Sequence, residues 1–367
     1  MKIFVCGTRG IPGIPGGVET HCEALFPLIR QSGIEVTVCR RSAYVPPAQQ
    51  PMSEYRGVRL VDLSSPRKKS LEAILHTLSA VWYARWHGFK IVHIHAIGPA
   101  LAVPFARILG LKTVVTHHGP DYDRQKWGRA AKLALKLGEW CAVRFSNEMI
   151  VISQTISDLL KAKYGYDAAH RLPNGVNIPV PATATDYLAT LGLEKGRYAI
   201  AVGRFVPEKG FHDLLDVWEK SRPDCKLVLV GDADHASAYS LGLKTRADSL
   251  GVVRTGYING EKLRQIYSHA ALFVMPSYHE GLPIALLEAM SYNLKTVVSS
   301  IPANLEVGLA PECCFETGNT ADLSAKIAQQ LASTAPCDYA EILHKCYNWE
   351  TIAAQTIAMY RRLGGSD

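Results

Sequence analysis

Short apolar runs alternate with helix-period segments along most of this sequence, and the series occurs twice. Apolar runs of this kind suit parallel strands buried on both faces, and the intervening helical stretches supply the crossovers that such strands need. In the first half the pattern predicts strands over Ile3 to Cys6, Glu35 to Cys39, Lys90 to His93, Thr113 to Thr116 and Glu148 to Ile152. The segment Pro179 to Thr185, rich in Pro and small residues, reads as a linker. A second series follows, with strands near Tyr198 to Val202, Lys226 to Val230, Val252 to Thr255, Leu272 to Met275 and Thr296 to Ser299. The expected fold is α/β, with two Rossmann-like doubly wound domains facing across a cleft. We place them at 1–178 and 179–348, with 349–367 as a C-terminal helix packing back on the first. At 367 residues the chain also exceeds what one core usually organises. Ligands of open parallel sheets bind outside the carboxyl ends of the strands, so motifs at those ends carry the most weight.

Composition narrows the class further. An apolar content of 48% argues against disorder, and no run approaches the roughly 18 apolar residues of a membrane span. Met1-Lys2 is followed by too few apolar residues before Gly7 for a secretory signal, and nine scattered cysteines with no Cys-x-x-Cys spacing suit reduced thiols. A cytoplasmic protein without structural zinc is expected. Up to Pro181 the chain holds 23 Lys and Arg against 12 Asp and Glu, whereas the remainder holds 17 against 21. Such asymmetry points to an anionic partner for the first half. Arg67-Lys68-Lys69 leads into Leu71, Ile74, Leu75, Leu78, Val81, Trp82 and Trp86, and a second run holds Arg124, Lys126, Trp127, Arg129, Lys132, Lys136 and Trp140. Both read as amphipathic helices that could contact an anionic membrane, or as core-facing helices with a solvated basic side. No nucleic-acid recognition module accompanies the charge.

Three loops at strand ends carry chemistry. Gly7 to Glu19 is a glycine-rich turn into a helix, able to turn backbone N–H groups toward an anion. Its two prolines and its spacing fit neither a dinucleotide fingerprint nor a P-loop, which leaves a nicotinamide-dependent oxidoreductase poorly supported. Gly203-Arg204-Phe205-Val206-Pro207-Glu208-Lys209-Gly210 places a guanidinium and an ammonium where a diphosphate could be neutralised without a metal. In Pro276 to Met290, Pro283 suits a helix start, the amides near Gly281 and Leu282 could face phosphate, and Glu288 is a carboxylate in an apolar helix. Burying it requires partners such as ribose hydroxyls, a neighbouring backbone or an Arg. Asp232-Ala233-Asp234 imitates a metal-binding pair, but Asp232 belongs to the Val230-Gly231-Asp232 turn. His93 and His95, at a strand end without a nearby carboxylate, suit a structural role better than a metal.

Taken in order, Gly16-Gly17-Val18-Glu19, Val92-His93-Ile94-His95, Thr116-His117-His118-Gly119, Pro173-Asn174-Gly175-Val176, the Arg204 to Gly210 loop and Glu280-Gly281-Leu282-Pro283 with Glu288 resemble the retaining GT-B glycosyltransferases of family four. The likeness runs over nearly the whole chain. It implies that Arg204 and Lys209 hold the donor diphosphate, that Glu288 binds ribose, and that Glu280 meets the donor sugar. Gly17, Gly203, Gly281, Leu282 and Pro283 would lie beside phosphate and sugar, and Tyr257-Ile258 beside the base. His118 corresponds to the family histidine near the transferred sugar, with His117 as its competitor. Gly16, Glu19, His117 and Asn174 are acceptor-side candidates. Asn177 stands where many relatives have Asp. The implied reaction is metal-independent and cofactor-free. It moves a sugar from a nucleoside diphosphate, UDP first and GDP next, to a saccharide or polyprenyl-linked acceptor at the inner membrane face. Surface polysaccharide or lipopolysaccharide synthesis follows from that. The alternatives are a soluble small-molecule acceptor and, more remotely, a non-catalytic scaffold that binds sugar nucleotide.

Overall fold

The computed structural model describes residues 1–64, 72–123 and 128–365. The chain divides into two compact units, Met1–Gly175 with Tyr347–Asp367, and Val176–Cys346. Both are α/β with parallel sheets.

The first unit carries an eight-stranded sheet in the order β3-β4-β2-β1-β5-β6-β7-β8. Its strands are β1 (Lys2–Cys6), β2 (Glu35–Arg41), β3 (Glu54–Tyr55), β4 (Val58–Leu63), β5 (Ile91–His95), β6 (Lys112–His117), β7 (Glu148–Val151) and β8 (His170–Arg171). All pairings are parallel except β3 with β4. Side-chain alternation sends Ile3 and Val5 into a core with helix α1 (Gly17–Gln31), while Phe4 meets Tyr83 of α2 (Glu72–Trp86) on the other face. The same second face carries α3 (Val103–Ile108) and α4 (Arg129–Phe145), packed in succession beside α2. Helix α5 (Gln154–Tyr164) starts where Ser153 Oγ accepts from Ile156 N and stops at left-handed Gly165.

Helix α14 (Trp349–Gly364) belongs to this unit and packs along α1, contributing Trp349, Ile352, Met359 and Tyr360 to its core. Gly175 lies against the Trp349 indole, where a Cβ would come within 2.5 Å of the ring.

The second unit carries six strands in the order β11-β10-β9-β12-β13-β14. They are β9 (Tyr198–Val202), β10 (Lys226–Val230), β11 (Val253–Gly256), β12 (Leu272–Met275), β13 (Thr296–Ser299) and β14 (Cys314–Phe315). Around them lie α6 (Asp186–Thr190), α7 (Phe211–Ser221), α8 (Ala238–Ser249), α9 (Gly260–His269), α10 (Ile284–Ser291), α11 (Pro302–Leu305), α12 (Thr320–Ala332) and α13 (Ala340–Cys346). Its core joins Ala199, Leu229 and Val274 of the strands to Leu214, Trp218 and Leu323 of the helices. The segment before α6, expected to be a linker, is tied down to α9: Ala182 N donates to Ser268 Oγ at 2.8 Å, and His269 Nε2 meets the Ala184 carbonyl at 2.9 Å.

Candidate functional site

The carboxyl ends of β9 and β12 in the second unit bring the charged loops together. The Glu208 carbonyl accepts from Tyr278 N at 2.8 Å. Gly210, with φ +66°, lies so near the Pro276 carbonyl that any Cβ would sit 2.0 Å from its oxygen. Only glycine allows that approach. It places Lys209 Nζ 2.5 Å from Glu280 Oε1, which also accepts from Ser277 Oγ at 2.7 Å. Arg204 Nη1 lies 3.1 Å from Asp234 Oδ2, and Lys244 Nζ lies 2.6 Å from Asp232 Oδ1. The two carboxylates of Asp232-Ala233-Asp234 are thus each engaged by a cation.

Pro283 occupies the cap position of α10 and not its first turn, and its carbonyl accepts from Leu286 N and Leu287 N. Glu288 lies on the second turn. Burial pushes its carboxyl up to about 7, although Tyr267 donates to Oε2 at 3.0 Å. Tyr267 is itself stacked on Tyr292 at 5.3 Å and 6°. Among the described residues neither a backbone cap nor an Arg answers Glu288, and Tyr267, 21 positions upstream, carried no local sequence signal. Tyr257 is exposed just after β11, with Ile258 half-buried beside it.

In the first unit Gly16 and Glu19 stand at the start of α1, His117 ends β6 and Asn174 follows β8, and of these Glu19, His117 and Asn174 are buried. Glu19 is buried, and its Oε1 accepts from Thr8 Oγ1 at 3.0 Å and Arg9 N at 2.8 Å. A Cβ at Gly16 would lie 2.1 Å from Glu19 Oε2, so glycine at this position is what lets the carboxylate fold the loop onto α1. His117 is also spoken for: its Nε2 lies 3.0 Å from Glu139 Oε1, and its Nδ1 accepts from Gly119 N at 3.0 Å. Both therefore shape the loops rather than offer free groups to an acceptor.

Glu139 is fully buried on α4. Oε1 also accepts from Tyr122 at 2.9 Å, and Oε2 accepts from Tyr164 at 2.8 Å and from Lys163. Burial alone would raise its pKa, but the hydrogen bonds from His117, Lys163 and Tyr164 outweigh that and bring it to about 2.

His118 turns the other way, toward His21 and His95. His95 Nδ1 and His118 Nε2 are 3.0 Å apart, and His21 Nδ1 donates to Asn174 Oδ1 at 2.9 Å. Asn174 is buried and orients His21. Burial holds His21 down to about 4, and it holds His95 and His118 well below the usual imidazole range, so the cluster is neutral at physiological pH. His93 is held by Tyr360 Oη at 2.5 Å and Thr116 Oγ1 at 2.6 Å. Among the described residues, His21, His95 and His118 are a set whose ring nitrogens lie within 4.8 Å of one another, as a metal would require. The His95 and His118 nitrogens already face each other in a hydrogen bond.

Two parallel-sheet units with charged, glycine-bearing loops at their strand ends define a GT-B fold, and the comparisons agree. Residues 15–179 match the model of glycosyltransferase family 4, and residues 186–345 match that of the glycosyl transferases group 1. The chain belongs to these GT-B glycosyltransferases. It is 27% identical to the alpha-maltose-1-phosphate synthase of Mycobacterium tuberculosis over 99% of this chain and 100% of that protein. Among solved structures it is similar to sucrose-phosphate synthase from Thermosynechococcus elongatus, with TM-score 0.83 and 21% identity over 99% of this chain and 98% of that one. HepE of Anabaena in complex with UDP-glucose matches with TM-score 0.78 and 18% identity over 98% and 99%.

Proposed function

We propose that the protein is a retaining, metal-independent glycosyltransferase that takes its sugar from a nucleoside diphosphate, with UDP the first choice and GDP the second. The observation that carries this is the joined loop pair of the second unit, where Arg204, Lys209 and Glu280 stand at strand ends beside the start of α10. Arg204 and Lys209 would stabilise the departing diphosphate, with Gly203, Gly281, Leu282 and Pro283 alongside it. Glu280, held by Lys209 and Ser277, would position the donor sugar. Glu288 would accept from ribose hydroxyls, and Tyr257 and Ile258 would border the base. The acceptor hydroxyl attacks the anomeric carbon on the face from which the diphosphate leaves. Its proton passes to the departing phosphate, so no protein nucleophile is required. The complex of HepE with UDP-glucose supports a nucleotide sugar as donor.

A lipid-linked acceptor is favoured by the outer side of the α2, α3 and α4 layer. Leu75, Ser79, Trp82 and Trp86 of α2 are exposed at spacings of four, three and four, and Leu133, Leu137, Trp140 and Arg144 of α4 repeat those spacings. Arg129 and Lys136 are exposed beside them, and the one acidic residue of α4, Glu139, is turned inward. This suits contact with an anionic bilayer surface and assembly of a surface polysaccharide or lipopolysaccharide unit. Arg67, Lys68, Lys69, Arg124, Lys126 and Trp127 lie outside the described residues. Among the described residues no helix is long and apolar enough to cross a membrane. A soluble sugar acceptor is the second reading, favoured by the full-length match to alpha-maltose-1-phosphate synthase.

Thermal stabilisation by UDP, GDP, ADP, CDP, dTDP and NAD tests the donor site. At 100 times its dissociation constant a nucleotide stabilises by about 2.7 kcal/mol. One nucleoside diphosphate should raise Tm, and Arg204→Ala and Glu288→Ala should each remove the shift. Stabilisation by NAD alone, or by a diphosphate indifferent to both substitutions, rejects the assignment.

A further inference from the structure

We propose that His95 is a positioning residue that fixes the tautomer of His118, so that His118 presents Nδ1–H to the substrate. The inference rests on the reading of His118 as the histidine beside the donor sugar. The two rings meet edge to edge, with centroids 5.3 Å apart, an interplanar angle of 28° and His95 Nδ1 3.0 Å from His118 Nε2. A single proton lies on that line, because burial keeps both rings neutral.

The orphaned atom of the pair decides which ring owns that proton. His95 Nε2 is buried and has no hydrogen-bond partner. If His118 donated through Nε2–H, the proton of His95 would have to sit on its Nε2, leaving a buried N–H unpaired. If His95 donates through Nδ1–H, its Nε2 is a bare lone pair, the less costly of the two orphans. The second arrangement puts the proton of His118 on Nδ1. That nitrogen has no protein partner among the described residues, and His118 is the partly exposed member of the cluster.

The surroundings keep the arrangement from turning over. The His95 ring is stacked on His93 at 4.3 Å and bounded by the edge of Phe26 at 5.6 Å, while His93 is anchored at both nitrogens. Inverting His95 would remove Nδ1 from His118. On the other side His117, held by Glu139 and Gly119, sets the backbone from which His118 projects. An Nδ1–H can donate to a sugar hydroxyl or to oxygen charge developing in the transition state, but it cannot take a proton. His118 therefore orients and stabilises, and the acceptor's proton must leave by another route, such as the departing phosphate.

Two measurements on the full-length protein test this. The first is long-range ¹H–¹⁵N correlation of ¹⁵N-histidine-labelled protein, with His118 assigned by His118→Gln. The proton is expected on Nδ1 of His118 and on Nδ1 of His95. A proton on Nε2 of His118 overturns the proposal whatever the enzyme's donor.

The second is turnover of His95→Phe and His95→Asn. It uses hydrolysis of whichever of UDP-glucose, GDP-mannose or ADP-glucose the wild type hydrolyses fastest. Phe should lower kcat by about 10–100-fold with KM within about threefold, the pattern for an interaction made in the transition state. Asn, whose amide can stand in for Nδ1–H, should restore most of it. A folded Phe variant with unchanged kcat overturns the proposal. Unchanged turnover in His118→Ala would instead remove the premise about His118, a failure separate from the tautomer result.

Discussion

The two units solve the same problem, holding polar groups at strand ends, in opposite ways. In the second unit the groups are charged and only partly buried: Arg204 faces Asp234, Lys209 faces Glu280, and Glu288 has a single tyrosine for company. In the first unit the groups are neutral histidines packed against one another and against Asn174, with the fully buried carboxylate of Glu139 saturated by donors. A charged site can exchange its protein partners for phosphate and ribose oxygens, whereas a neutral cluster held by packing and internal hydrogen bonds keeps its geometry around neutral pH. Near neutral pH the second unit should respond to ligand and pH, and the first should resist both.

The largest effect is expected where that resistance is built. Removing the charge of Glu139 leaves Lys163 facing an amide that can no longer satisfy all its donors. Lys163 is itself exposed, and the cost falls on the donors of His117, Tyr122 and Tyr164, whose hydrogen bonds to a charged acceptor contribute about 1.5–3 kcal/mol. Glu139→Gln should lose that much in urea unfolding at pH 7. Because the folded pKa of Glu139 lies near 2, below the usual carboxylate value, its contribution is present above about pH 5 and is lost as pH falls toward 2. The wild type should therefore lose stability over that window relative to Glu139→Gln. A variant within about 1 kcal/mol of wild type at pH 7 would show that the network is dispensable, and the contrast between the units would fail.

Glu288 sharpens the comparison from the other side. Its carboxyl is raised to about 7 in the unliganded protein, and ribose hydroxyls donate best to the ionised form. Nucleotide binding should thus release a proton. Affinity should climb by up to about tenfold per pH unit below 7 and level off above it. Glu288→Gln should bind more weakly and without this slope. For the unliganded protein the sign reverses: a raised folded pKa favours the protonated fold, so that stability is present below about pH 4.5 and lost as pH rises through 7. Isothermal titration in buffers of different ionisation enthalpy reads the proton directly. Proton uptake on binding, or a slope that survives Glu288→Gln, would mean that another group is titrating.

The fold was legible because period and apolar run length are local properties, and both series of central strands announce themselves in that way. Val58–Leu63 escaped because Arg59 and Asp62 break its apolar run. The strands β3, β8 and β14 hold two residues each, too few to form a pattern. Helix α1 begins at Gly17, inside the stretch Gly7 to Glu19 that reads as a turn into a helix. Candidate residues inside short motifs, such as Arg204, Lys209 and Glu288, could be nominated from sequence, but the direction of a side chain could not. The family resemblance put Glu19 and His117 on the acceptor side, and their inward turn depends on Thr8, Arg9 and Glu139. Those partners, like Tyr267 for Glu288, are set by packing of distant segments, which no local spacing encodes.

A smaller effect separates the outer surfaces of the two units. Large apolar side chains stand exposed along α2, α3 and α4, with Trp86 at 78% and Ile108 at 82%, and Trp82 stacks between Trp86 and Phe105. In the second unit Ile178 and Val180 on one segment, Leu241 on another and Leu305 on a third are exposed, and the exposed aromatic residues are Tyr257 and Tyr278, both on strand-end loops. If the first unit's layer meets a membrane, wild-type protein should sediment with phosphatidylglycerol vesicles and less well with phosphatidylcholine vesicles or in high salt. Because each tryptophan buries only part of its surface in an interface, Trp82→Ser and Trp86→Ser should each weaken binding by about three- to tenfold. Nucleotide-induced stabilisation, which the proposed donor site assigns to the second unit, should be unchanged in both variants. Equal sedimentation of wild type and the double variant would detach this face from the membrane and shift the balance toward a soluble acceptor.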